Sequence, residues 1–235
     1  AGRSFTEMKT GAIIVAGGTG RRMKSSLPKQ FMTLGGKEMF VRSVEIFHGS
    51  DFVYSTVLVV HRDWINKAKE ILLKRGLNSV MVVPGGKSRQ ESVYKGLLSC
   101  REVGLEAIMI HDAVRPFFSR SQIPELLRLV APGRGVVVTE GVNDTVYLVG
   151  NDEVLDVPDR NCLRLAETPQ TFPYDEILEA HKRAVEENIL SSTDDAQLFV
   201  RSGGQVITVN SIAPNPKITT PFDFDMAELL INKGS

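Results

Sequence analysis

Residues 11–20 read GAIIVAGGTG and residues 21–30 continue RRMKSSLPKQ. The apolar run Ala12–Ala16 has no polar alternation, so it suits a strand covered on both faces, as in a parallel sheet. It stops at Gly17 and Gly18, and a glycine-rich turn after a strand can aim several backbone N–H groups at one point. In open α/β sheets ligands bind at the carboxyl ends of strands, which is where this turn lies. Arg21, Arg22, Lys24 and Lys29 follow at once. Like charges held close repel, so the cluster is either solvated or filled by an anion. Pro28 stiffens the approach to Lys29, and Arg22 and Lys29 are placed to flank one anion from two sides.

Similar apolar runs recur at TVLVV (56–60), SVMVV (79–83) and AIMIH (107–111). Between them lie helical patterns at 38–49, 62–76 and 88–104. In the second of these, Trp64, Ala68, Ile71 and Leu72 recur at helical spacing and Gly76 follows as a stop. Strand and helix in alternation predict a doubly wound α/β sheet. After residue 135 the regularity changes. A strand at GVVVTE leads into a two-stranded excursion over about 141–163 that turns at GND (150–152), with Tyr147, Val149, Val154 and Leu155 around the turn. Helices at YDEILEAHKRAVEEN and DDAQLFVRSG, a strand at QVITV and a closing helix at FDFDMAELLINK complete the chain. One domain over 8–235 is expected, with residues 1–7 a tag or disordered extension. The excursion cannot bury its apolar residues alone, so it is read as an arm that packs on a second subunit or as a substrate flap.

The chain has 235 residues, enough for a sizeable core. Its 28 Lys and Arg balance 28 Asp and Glu, which argues against a non-specific nucleic-acid binder but leaves room for a local basic pocket. No apolar run approaches the roughly 20 residues that cross a bilayer. Cys100 and Cys162 have no metal-ligand spacing, and a reducing intracellular compartment is the simpler expectation. His48, His61, His111 and His181 are scattered, without the spacing of a zinc site or a nucleophile's base.

Two phosphate-binding signatures fail. A dinucleotide fingerprint from Gly18 meets Met23 where its third glycine belongs, and a Walker loop ending at GGKS (85–88) meets Met81. Other strand ends carry their own candidates. IHDAVRPF (110–117) offers Asp112 to a sugar hydroxyl or a metal and Arg115 to an anion, or else the two form a structural ion pair. In GGKSRQESV (85–93), Ser88 and Glu91 fit a helix cap, while Gly85, Gly86, Arg89 and Ser92 suit the edge of a base. NDT (143–145), DRN (159–161), ETPQTF (167–172) and STDDA (192–196) read equally as turns and caps or as ligand contacts, while Lys217 in NPKIT (215–219), just after a strand and before the final helix, reads by itself as a surface lysine.

In this order, VAGGTGRRM…LPKQF, GGKSRQESV, HDAVRP, NDT, DRN, TPQ, TDDA and PKITTP resemble the 2-C-methyl-D-erythritol 4-phosphate cytidylyltransferases, from about Met8 to the last helix. The resemblance implies a mainly parallel, Rossmann-like nucleotidyltransferase (GT-A-like) sheet flanked by helices, with a protruding β-arm through which two copies dimerise. It implies transfer of a cytidylyl group from CTP to methylerythritol phosphate with Mg²⁺, in the cytoplasm, or in the plastid stroma for an organellar member. Ala16, Gly17, Gly18 and Gly20 would line the triphosphate, which Arg22 and Lys29 bind and polarise together with Lys217. Gly86, Arg89 and Ser92 would surround the cytosine, and Asp112 and Ala113 the ribose and metal region. Arg115, Thr145, Arg160, Thr168 and Thr193, with Lys217, would line the acceptor, Thr145 and Arg160 reaching it across the dimer. No protein residue is singled out as a metal ligand, the ion being held mainly by the phosphates of CTP.

Two positions depart from the family. VAGG stands where many members have Pro-Ala-Ala-Gly, as in the related ribitol-5-phosphate cytidylyltransferases, and Lys87 stands where an acidic residue is frequent. DRN and TDDA match the methylerythritol enzymes. Ribitol 5-phosphate is therefore the alternative acceptor.

Overall fold

The computed structural model describes residues 5–17, 27–189 and 192–233. In chain order the strands are β1 (Thr10–Ala16), β2 (Thr33–Leu34), β3 (Lys37–Glu38), β4 (Ser55–Val60), β5 (Met81–Pro84), β6 (Ala107–Asp112), β7 (Arg134–Gly141), β8 (Leu148–Gly150), β9 (Glu153–Asp156), β10 (Arg164–Pro173) and β11 (Gln205–Asn210). The helices are α1 (Met39–His48), α2 (Ile65–Lys74), α3 (Arg89–Ser99), α4 (Ile123–Leu129), α5 (Tyr174–Glu186), α6 (Asp195–Arg201) and α7 (Pro221–Lys233).

Seven strands form one sheet in the order β11-β7-β10-β6-β1-β4-β5. The pairs β1–β4, β1–β6, β4–β5 and β7–β11 are parallel, whereas β10 runs antiparallel to both of its neighbours. The unalternating runs have a direct cause. Ala12, Ile14 and Ala16 pack into a core with α1, α2 and α4, while Ile13 and Val15 pack into a second core with α3, α5 and α6. Each residue of β1 is thus buried whichever way it points. On the second face α3 lies close against the sheet, and a methyl group on Gly96 would meet Ile13 at 2.9 Å.

The expected strands and helices are found within a few residues of their predicted bounds, and Gly76 takes the left-handed conformation expected after α2, with φ +72°. Four features differ from expectation. The segment ETPQTF lies inside β10, a strand obscured by Pro169 and by an irregularity between Ala166 and Gln170. The β2–β3 hairpin and α4 are too short to carry a periodic signal. Phe5–Glu7, expected outside the fold, form a 3-10 turn that meets α4.

The excursion is a two-stranded hairpin, β8–β9, turning at Asn151 and Asp152 with φ of 51° and 64°, the hand that matches strand twist. Tyr147, Leu148, Val149, Val154, Leu155 and Val157 on it are each more than half exposed. Among the described residues, no helix is long and apolar enough to cross a membrane.

The two-sided core gives a test. Ile14→Ala, at a fully buried position, is expected to lower unfolding free energy by about 2–5 kcal/mol. Val185→Ala, on an exposed position, should change it by less than about 0.5 kcal/mol. Urea denaturation followed by circular dichroism measures both.

Candidate active site

The carboxyl ends of β1 and β6 lie side by side. Gly18, Gly20 and Arg22 lie outside the described residues. Further along, Pro28 opens a 3-10 turn over Lys29–Phe31. Two side chains anchor that turn. Gln30, almost fully buried, donates from Nε2 to the Ala16 carbonyl at 2.6 Å. The Phe31 ring packs between Phe40 and Trp64, 5.0 Å from each ring centre. Lys29 is left facing a cavity, and its Nζ donates to the Ile218 carbonyl at 3.2 Å. The N-terminal turn is thereby joined to the segment that carries Lys217.

The cavity measures about 380 Å³. Ala16, Gly17, Gly86 and Ser92 line it, together with the charged groups Lys29, Lys87, Arg89, Asp112 and Lys217. Ser88 caps α3 by accepting from the Glu91 N–H, as the sequence predicts, and Glu91 returns to accept from Lys87 N–H. Ser92 Oγ accepts from Gly86 N–H at 3.0 Å, closing the loop over the helix start. A methyl group on Gly86 would fall 2.3 Å from the Glu91 side chain, so this bend needs glycine.

Asp112 is the hub. Arg89 Nε donates to its Oδ1 at 2.9 Å and Lys217 Nζ lies 2.6 Å from its Oδ2. Burial alone would raise the Asp112 carboxyl, but the Arg89 and Lys217 charges overcome it and hold the group well below the usual carboxylate range. Arg89 Nη1 also donates to Asp195 Oδ2 at 2.8 Å. Burial would lower the guanidinium, and the Asp195 and Asp112 charges instead raise its proton affinity.

A family model described as 2-C-methyl-D-erythritol 4-phosphate cytidylyltransferase matches residues 10–233. Proteins of that name from Clostridioides difficile and Geobacter metallireducens are 35% and 38% identical to this chain; each alignment covers 94% of it, and 92% and 97% of the relative. The chain belongs to this family of cytidylyltransferases. The solved 4-diphosphocytidyl-2C-methyl-D-erythritol synthase from Anaerococcus prevotii superimposes with a TM-score of 0.82 at 26% identity, over 96% of this chain and 99% of that one. A ribitol-5-phosphate cytidylyltransferase from Vibrio parahaemolyticus is 34% identical over 94% of this chain and 95% of its own length.

Other predicted residues of the cytidylyltransferase lie apart from the cavity lining. Ala113 is fully buried; its N–H donates to the Val15 carbonyl and its own carbonyl accepts from Ser43. Arg115 is held by its own chain, with Nη1 donating to Asn215 O at 2.6 Å and lying 3.6 Å from Glu167. Burial lowers the Arg115 guanidinium and raises the Glu167 carboxyl. Thr193 is exposed just before α6. Thr145 and Arg160 are exposed at the base of the arm, with Arg160 Nη1 donating to Asn143 O.

Thr168 is buried beside His111, a residue sequence reasoning passed over. Asp112 N–H donates to Thr168 Oγ1 at 3.1 Å, His111 Nδ1 lies 3.0 Å from that hydroxyl, and His111 Nε2 lies 2.9 Å from the Arg115 carbonyl. A carbonyl only accepts, so Nε2 carries the hydrogen and Nδ1 accepts from Thr168. Burial lowers the His111 pKa to about 4 and keeps the ring neutral.

Gln30, Gln170, Asp195 and His181 also escaped the sequence reading as site residues. Gln170 Oε1 accepts from the Asp195 and Ala196 N–H groups while its Nε2 donates to Asp194. Asp194 caps α6. The only trace of this pairing in the sequence is that TPQ and TDDA are both present.

His111 makes stability pH-dependent. In the unfolded chain it binds its proton near pH 6.5; in the fold it does so near 4. As pH falls from 6.5 the unfolded state binds more protons, so its stability contribution is lost progressively, approaching about 3 kcal/mol near pH 4. Urea unfolding at stepped pH is expected to show this slope, and His111→Asn to lack it.

Proposed function

We propose that this enzyme transfers a cytidylyl group from CTP to 2-C-methyl-D-erythritol 4-phosphate, giving 4-diphosphocytidyl-2-C-methyl-D-erythritol and pyrophosphate in the non-mevalonate isoprenoid pathway. The observation that carries the reading is the convergence of Lys29, Arg89 and Lys217 with Asp112 on one cavity at the strand ends.

The chemistry suits a site without a catalytic histidine. A phosphate monoester has a second pKa of about 6, so the acceptor oxygen is already ionised near neutrality and needs no general base. That oxygen attacks the α-phosphorus of CTP, the bond to the bridging oxygen breaks, and pyrophosphate leaves with the electron pair. The barrier lies in bringing two polyanions together and in charge that grows on the α-phosphate and the leaving group. Preorganised cations answer both problems. Lys29 and Lys217, with Arg22, serve the triphosphate; Gly86, Arg89 and Ser92 surround the pyrimidine; Arg115, Thr168 and Thr193 serve the acceptor.

A Mg²⁺ ion fits this donor set in one way. Mg²⁺ is commonly held by one or two carboxylates together with substrate phosphates. Asp112 is the one carboxylate among the described residues lining the cavity, and no group of three or more acidic, His or Cys residues placed to hold a metal ion is found among the described residues. The ion would therefore ride on the CTP phosphates with Asp112 as its protein ligand, neutralising phosphate charge.

The exposed apolar face of the β8–β9 arm is read as the dimer contact, which would bring Thr145 and Arg160 to the partner's acceptor site. We place the enzyme in the cytoplasm, or in the plastid stroma for an organellar form. Ribitol 5-phosphate is retained as a second acceptor because of the VAGG loop and the ribitol-type relative at 34% identity.

Pyrophosphate release with CTP, ATP, GTP and UTP, against each of the two acceptors, tests the reading; it is expected with CTP and methylerythritol phosphate. Lys29→Ala and Arg22→Ala should each lower turnover on the order of 10²–10³-fold, the scale for one preorganised stabilising group. Wild-type turnover in both would end the assignment. Light scattering should find a dimer, and Leu155→Asp, which charges the arm's apolar face, a monomer. A fully active monomer would exclude residues lent across the subunits.

A further inference from the structure

His181 lies on α5 with no exposed surface, away from every substrate contact assigned above. Its Nε2 stands 3.0 Å from Asp195 Oδ1. Its other ring nitrogen, Nδ1, is buried and has no hydrogen-bond partner among the described residues. An apolar side chain would fill the same space without stranding a polar atom, so the single bond to Asp195 is the feature that calls for a histidine here. The Tyr94 ring, from α3, lies parallel to the imidazole, with centres 6.2 Å apart and planes 4° from coincidence.

Asp195 is fixed on every side. Its backbone N–H donates to Gln170 Oε1, its Oδ1 takes the His181 bond, and its Oδ2 takes Arg89 Nη1 at 2.8 Å. Burial would raise this carboxyl, but Arg89 and then His181 hold it below its ordinary range. Arg89 is thus a strut between two carboxylates, Asp195 on α6 and Asp112 at the end of β6. About a quarter of its side chain stays accessible on the cavity side. Its remaining N–H groups make no hydrogen bond among the described residues, and such donors match the carbonyl and ring-nitrogen acceptors of a pyrimidine.

We propose that His181 is a positioning residue for the nucleotide subsite: it locks the Asp195 carboxylate, and through it the plane of the Arg89 guanidinium, without touching substrate. The proposal rests on the reading of Arg89 as a neighbour of the pyrimidine. Removing the imidazole leaves Asp195 Oδ1 without its donor in a buried place. The carboxylate then turns to recover a partner, and Arg89 loses its fixed direction.

Steady-state kinetics of the full chain with CTP and methylerythritol phosphate test this. His181→Leu is expected to raise the KM for CTP on the order of 10-fold, the scale of one hydrogen bond to a charged group. Turnover and the acceptor KM should stay within about twofold. His181→Gln, which can still donate to Asp195, should recover most of the CTP affinity. Asp195→Asn keeps the bulk and breaks the same bridge, so it carries the same expectation if the leucine variant does not fold. Arg89→Ala is measured alongside, and Arg89→Ala with His181→Leu should be no worse than Arg89→Ala alone. If Arg89→Ala itself leaves the CTP KM unchanged, the pyrimidine reading of Arg89 has failed, and the proposal falls with it. If Arg89→Ala raises that KM while His181→Leu and Asp195→Asn do not, the reading stands and the positioning role is overturned. Parallel losses in turnover and in both KM values would also overturn it, marking His181 as a structural residue only.

Discussion

The Asp112 carboxylate, held at once by Arg89 and Lys217, is the contact on which the site depends. It joins three segments far apart in the chain: the start of α3, the end of β6 and the approach to α7. A buried carboxylate with two cationic partners is tolerated where a lone one would not be, because losing either partner leaves charge uncompensated in a low dielectric. The same arrangement leaves the cavity with a positive excess. Among the described residues Lys29, Lys87, Arg89 and Lys217 line it, and Asp112 with Asp195 behind Arg89 sets two carboxylates against these four cations, although the chain as a whole is neutral. The excess is local, and it is built by placing strand ends and helix starts around one spot. A binder of polyphosphate needs that concentration, not a high net charge.

The parallel part of the fold was legible for a physical reason. Strands covered on both faces need apolar residues at successive positions, so β1, β4 and β6 stand out as runs. β10 did not, because Thr168, Pro169 and Gln170 interrupt it where it meets the cavity-lining residues, and the interruption has a structural use. At that irregularity Thr168 turns to Asp112 and His111, and Gln170 to the start of α6. A strand that must also aim side chains at a pocket loses the pattern that advertises a strand.

The site divided along a similar line. Lys29, Gly86, Arg89 and Asp112 were legible because each lies at or beyond a strand end, where ligands of open α/β sheets bind, whereas Lys217 read alone as a surface lysine and only the family resemblance placed it in the site. Their partners were not. Nothing in the spacing of Gln30, His111, Asp195 or Glu167 shows that each lies buried against another candidate, since those pairings span from 14 to 106 residues of chain. Arg115 shows the cost of reading residues singly. An arginine after a strand end reads as an anion ligand or as half of a structural ion pair, and only the fold shows that its guanidinium is bonded to backbone carbonyls and stands beside Glu167.

The two halves of the site are built differently, and this bears on how the reaction is organised. The residues assigned to the nucleotide come from one chain and are cross-braced: Gln30 holds the strand end, Lys29 reaches the Lys217 segment, and Arg89 spans two carboxylates. The residues assigned to the acceptor are dispersed, with Thr168 buried, Arg115 partly buried, and Thr145 and Arg160 exposed at the base of an uncovered apolar hairpin. A braced site suits a triphosphate whose α-phosphorus must be presented in a fixed direction, since misplacement by about 1 Å costs on the order of 10² in rate. In the proposed dimer a site finished by a second copy would suit the smaller substrate, its binding subsite being complete only there. Under the proposed function the apolar hairpin and the neutral His111–Thr168 pair would serve one end: both would fix where the acceptor phosphate stands relative to a braced nucleotide subsite.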